Sequence, residues 1–221
     1  MSNDLLLSTT AGLVHYFAGD ALIQGEVLKF VDGRYSIHDE DVPLGTRFVA
    51  IHATEVVQER QDGRFVQPPI YEAPDGMTLA AFAAAENAKI PKDQWEPGLS
   101  GPRPPFVHSH VAYLLDPLTA AMLTCINSTG GQEAAVGQLR GNIKRMCSMR
   151  GKPMRPAVRL STRMHSKEWK KLGPAFVIDQ HENWVDLDFP LAEQIEIRNG
   201  TWTVKQVPQD AIPMLTIDPA A

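Results

Sequence analysis

Between residues 144 and 171 the chain reads KRMCSMRGKPMRPAVRLSTRMHSKEWKK, in which ten Lys and Arg stand against one acid, Glu168. Guanidinium and ammonium groups strung along an extended backbone are what neutralises a phosphate chain, with hydroxyls between them as donors. In a strand, residues two apart share a face. The segment PAVRLSTRMH therefore sets Arg159, Ser161, Arg163 and His165 on one side, with Val158, Leu160 and Met164 opposite. The next residues, SKEWKKLGP, read as a turn that places Lys167, Lys170 and Lys171 around Trp169. An indole among lysines suits an unpaired base, because ring stacking is worth about 1–3 kcal/mol per base while the lysines meet phosphates. Arg145, Arg150, Lys152 and Arg155 extend the track through the end of a preceding helix and the loop after it. Arg140 and Lys144 lie on the polar side of that helix and read as its solvated face. Phe106, Trp95 and Trp184 are weaker stacking candidates.

The charge balance makes this stretch stand out. Residues 134–175 hold eleven Lys and Arg against one acid, whereas the rest of the chain holds ten against 25, and the net charge is −5. A basic patch on an acidic protein attracts a polyanionic partner or pairs with the protein's own acids. Other chemistry is sparse. HSH puts His108 and His110 on one strand face as a metal pair requires, but the third ligand would be distant, with His52 and Asp116 as candidates. Cys125 and Cys147 form no CxxC and read as free cytoplasmic thiols. The chain has no phosphate loop, GxGxxG or GxSxG. STGGQ at 128–132 precedes a helix and reads as a strand-to-helix turn. Asp39, Glu40 and Asp41 read as a solvated turn. No catalytic set, cofactor or metal is assigned, and the protein is not expected to be an enzyme.

The elements that must position these residues are mostly β. VLKFVDGRYSI is a hairpin turning at Asp32-Gly33, and TRFVAIHATEVVQERQDGRFV a long strand with Val49, Ile51, Ala53 and Val57 alternating before a turn at Asp62-Gly63. Residues 67–105 read as an irregular insertion with a short Ala-rich helix, TLAAFAAAENAK, followed by a Pro- and Gly-rich run. FVHSHVAYLL and MLTCINS are strands joined by the turn DPLTA. TGGQEAAVGQLRGNIKRMCSMR is the main helix, with Val136, Leu139, Ile143, Met146 and Cys147 as its apolar stripe. Thr129 or Ser128 is its cap, and Gly151 its stop before Pro153. PAVRLSTRM and PAFVIDQ are strands, and IEIRNGTWTVKQV is a hairpin turning at Asn199-Gly200. The predicted fold is one oligonucleotide-binding (OB)-like antiparallel barrel over 1–207, with one α-helix, the insertion and a C-terminal hairpin, then an extended tail over 208–221. No apolar run is long enough to span a bilayer, and MSNDLLLSTTAGLVHYF lacks a basic lead-in, so a cytoplasmic protein is expected.

The run VAYLLDPLTAAMLTCINSTGGQEAAVGQL, followed by PAVRLSTR and GPAFVI, resembles a poorly characterised group of phage and prophage proteins. The order of elements is similar to that of phage single-stranded DNA-binding proteins built on the OB barrel. The resemblance implies a role in phage DNA replication or recombination and carries over no catalytic residue. Single-stranded DNA is thus the expected partner, with replication or recombination proteins recruited through the C-terminal segment, although that tail lacks dense acids and a terminal Phe. The competing reading is an interaction module that docks an acidic host or replisome protein through the same patch.

Overall fold

A computed structural model of the 221-residue chain describes residues 22–66, 68–98, 101–127, 130–166, 171–180 and 183–205. Strand makes up 47% and helix 23%, so the mostly β expectation holds. The centre is a curled sheet in the order β1-β8-β7-β5-β9-β10. Its strands are β1 (Glu26–Val27), β5 (Arg47–Gln61), β7 (Phe106–Asp116), β8 (Ala121–Asn127), β9 (Met154–Ser166) and β10 (Lys171–Ile178). β5, β7 and β8 form an antiparallel meander. The chain then enters α2 (Gly130–Arg150) and returns as the hairpin β9–β10, whose first strand pairs with β5. A second sheet holds β2 (Lys29–Val31), β3 (Arg34–Ile37) and β4 (Glu40–Val42). β6 (Arg64–Phe65) pairs with the end of β5, and β11 (Trp184–Asp186) with the start of β9. The hairpin of β12 (Ile195–Arg198) and β13 (Thr201–Val204) completes the strands.

Strand alternation gives the sheet two apolar faces, and both are covered. On one, Phe48, Ala50, Leu114, Leu123, Val158 and Leu160 pack against Val136, Leu139 and Ile143 of α2 and against Leu28 and Tyr35. On the other, Val49, Ile51, Val111, Tyr113 and Ala157 pack against Val185, Leu191, Ile195 and Trp202. Burial of each large side chain contributes roughly 1.5–3 kcal/mol, so the two covers hold the sheet from both sides. The helical stripe is as its spacing requires: Val136, Leu139, Ile143 and Met146 are buried and Cys147 half-buried. Gly151, at φ +66, stops the helix in a left-handed turn. The cap residues Ser128 and Thr129 lie outside the described residues.

The Asp32-Gly33, Asp62-Gly63 and Asn199-Gly200 turns join their predicted strands, all with positive φ. His38 and Asp39 also turn at positive φ, joining β3 to β4, so of the acidic run Asp39 lies in the turn and Glu40 and Asp41 on the strand. Two expectations are corrected. Alternation along β5 breaks at a bulge between Ala50 and His52, which puts Ala53 on the α2 face and returns the opposite face at Val56. The expected barrel has one helix besides the short Ala-rich helix of the insertion, which is present, and three α-helices occur among the described residues. In the insertion, Thr78 caps α1 (Leu79–Ala88) by accepting from the Ala81 amide. The Asn87 side chain then clasps the Phe106 backbone in both directions at 2.7 and 2.8 Å. A single turn, α3 (Leu191–Gln194), follows Pro190 and buries Leu191 and Gln194.

Candidate nucleic-acid interface

β9 is the hub of the fold, since it pairs with β5, β10 and β11. Val158 and Leu160 pack under α2, so Arg159, Ser161 and Arg163 face the other way. Arg159 stands across the ladder from Val177 and Arg163 from Gly173. At the rung where Ser161 meets Ala175, the Tyr35 hydroxyl accepts from the Ala175 amide at 3.1 Å and donates to the Ser161 carbonyl at 3.0 Å. Burial pushes the ionisation of Tyr35 upward, so the hydroxyl keeps its proton. The small sheet thereby ties both strands of the basic hairpin. Toward its open end Met164 and Leu172 form a rung of exposed apolar side chains. Lys167, Trp169 and Lys170 lie outside the described residues, between β9 and β10 in the chain. Lys171 begins β10 opposite Ser166, and its side chain is not among those described.

The other predicted cations separate. Arg145 and Arg150 are exposed on α2, on the opposite side of the sheet from Arg159 and Arg163, and Arg145 donates to the Asn142 side chain at 3.1 Å. Lys152 pairs with Asp186. Arg155 is half-buried, with its guanidinium donating to the carbonyls of Ile51 and Met154 and reaching the Cys147 sulfur at 3.5 Å. Burial lowers its pKa, an effect that Cys147 partly offsets. Trp184 is buried, its indole donating to the Asp179 carbonyl, and so belongs to the core. Trp95 donates to the Ile90 carbonyl in the insertion.

Two features escaped the sequence. Asp179 pairs with both Arg47 and Arg159, and Arg47 also lies 4.5 Å over the Trp202 ring. The signal available was the acidic segment from Asp179 onward, which holds eight acids against two bases. The second is Glu55, which sits with His108 and His110 rather than the anticipated His52 or Asp116. Only strand register brings it there. Asp116 is occupied by its own turn, accepting from the Leu118 amide and the Thr119 hydroxyl. His52 stacks on Tyr113, and its pKa is lowered by burial and then by Arg155 and Arg140. No helix among the described residues is long and apolar enough to cross a membrane. No protein family, curated protein or solved structure matches the chain.

Proposed function

We propose that this protein binds single-stranded DNA with little sequence preference, in phage replication or recombination, using an OB-type barrel. The observation that carries the reading is the connection of the basic hairpin. A three-strand meander, a helix, and a hairpin whose first strand returns to the start of the meander is the strand order of an OB barrel left open along one seam. In that fold the loops after the first and fourth strands hold the nucleic acid. Here they are the insertion that carries α1 and the segment with Lys167, Trp169 and Lys170. Arg159 and Arg163 lead along β9 toward that segment, and Trp169 supplies the stacking platform. Arg145 and Arg150, on the far side of the sheet, and Lys152, paired with Asp186, stand apart from this track, and Arg155 holds the hub strand in place.

Fluorescence anisotropy with labelled oligo-dT of about 30 nucleotides, longer than the roughly 4–16 nucleotides that one such barrel covers, tests this against duplex of equal length. Preference for the single strand, weakened by salt and lost in Trp169→Ala and Arg159→Ala/Arg163→Ala, is the expected result. Absence of binding at low salt removes the reading. The alternative, docking of an acidic protein, would show no rise of affinity with oligonucleotide length.

A further inference from the structure

Glu55 on β5 and His108 and His110 on β7 meet on the face of the sheet where α2 packs. Glu55 stands directly across from His110, and Val57 across from His108, so the two histidines flank the carboxylate. His108 Nε2 lies 3.3 Å from Glu55 Oε2, and His110 Nε2 lies 3.6 Å from Glu55 Oε1. The two imidazoles meet edge to face at 4.9 Å. The side chains are largely withdrawn from water, at 16% exposure for His108, 12% for His110 and 24% for Glu55.

Arg140 of α2 pairs with the same carboxylate and is 49% exposed. Arg140 balances the charge of the carboxylate, and the two imidazole nitrogens that converge on its oxygens are the atoms that a metal ion would use. Metal bonds of about 2.0–2.2 Å in a tetrahedral site put neighbouring ligand atoms roughly 3.3–3.6 Å apart. The two histidine-to-carboxylate separations, each to a different oxygen, lie in that range, and one ligand atom from each of the three residues lies within 4.8 Å of the others, so a small closure completes the set. Two imidazole nitrogens and one carboxylate suit zinc and its first-row neighbours, whereas magnesium and calcium favour oxygen-only sets.

We propose that Glu55, His108 and His110 form a binding site for a divalent first-row transition ion of the zinc class. The ligands are both Nε2 atoms and the Glu55 carboxylate, with a fourth position open to water or an anion. Arg140 is the resident countercharge, which the ion displaces toward solvent. The site lies on the opposite face from Arg159 and Arg163, and its test does not depend on DNA binding.

The full-length protein, stripped with a chelator, is titrated with Zn²⁺ against a chromophoric competitor, and Co²⁺ is followed by its visible absorption. One ion per chain is expected. His108→Ala, His110→Ala and Glu55→Gln should each weaken binding by at least about tenfold, with circular dichroism to confirm folding. Arg140→Met should tighten binding, because it removes the competing cation without removing a ligand. No saturable binding by the folded protein at micromolar zinc would overturn the proposal. So would binding that survives all three ligand substitutions, since the ion would then be held elsewhere. Failure of Arg140→Met to tighten binding would remove the displacement step.

Discussion

Asp179 places a carboxylate oxygen 3.5 Å from Nε of Arg159, so the exposed arginine on β9 already has an anion beside it. The same carboxylate pairs with Arg47, which is mostly buried. An acidic segment has thus folded over part of the basic one, at Asp179 with Arg159 and at Asp186 with Lys152. The internal pairing that charge alone allowed is present for these two cations. Among the described residues, Arg145 and Arg150 are exposed on α2 and show no such ion pair.

Asp179→Asn separates the two roles of that carboxylate. Release of Arg159 should tighten oligo-dT binding per folded molecule. Arg47, left without its countercharge, should lower stability by about 1–3 kcal/mol. Anisotropy and urea unfolding on the same variant read both. Weaker DNA binding by the folded variant would count against Arg159 as a phosphate contact.

Arg155→Ala should act on stability rather than on binding. Its guanidinium satisfies the Ile51 and Met154 carbonyls, so truncation leaves buried acceptors and costs about 1–3 kcal/mol. Arg163→Ala should act on binding, with a shallower salt dependence. Comparing salt slopes of the two variants checks the division.

Tyr35→Phe removes the hydroxyl that bridges Ser161 and Ala175. The loss should be about 0.5–1.5 kcal/mol, with faster amide hydrogen exchange concentrated in β9 and β10. Uniform acceleration across the sheet would mean that the hydroxyl does not hold this hairpin in particular.

His52 gives stability a pH dependence of definite sign. Its folded pKa is lowered, by burial first and then by Arg155 and Arg140, from an ordinary value of about 6.5. Below that value the unfolded chain takes up a proton that the folded one refuses, so stability falls as pH drops from about 6.5 toward the lowered folded pKa. Above about 6.5 this contribution is complete. Urea midpoints between pH 8 and 5 should show the fall, and His52→Gln should flatten part of it, in a range set by this histidine rather than by carboxylates (roughly pH 5–8).

Local physics made much of the fold legible. The Asp32-Gly33, Asp62-Gly63 and Asn199-Gly200 pairs adopt positive φ cheaply and mark their hairpins wherever strands flank them. The spacing of Val136, Leu139, Ile143 and Met146 defines one buried stripe because an α-helix repeats every 3.6 residues. Alternation in β9 likewise sets Val158 and Leu160 against Arg159 and Arg163, whatever the strand packs against. The bulge at Ile51 was not legible, since nothing in the strand itself marks the extra residue.

What the tertiary structure alone decided is which side chains meet. Of the ten cations adjacent in sequence, the described ones are divided between the exposed side of α2, an ion pair at Lys152, a half-buried anchor at Arg155 and one face of β9, because α2 occupies the other face. Glu55 reaches His110, 55 positions further along the chain, only through the register of β5 on β7. Asp179 reaches Arg47 and Arg159 because the chain folds back after β10. Composition and spacing determine which groups a segment offers and which face they share. Partners distant in the chain depend on strand pairing and on burial of both sheet faces, which are properties of the whole packed molecule.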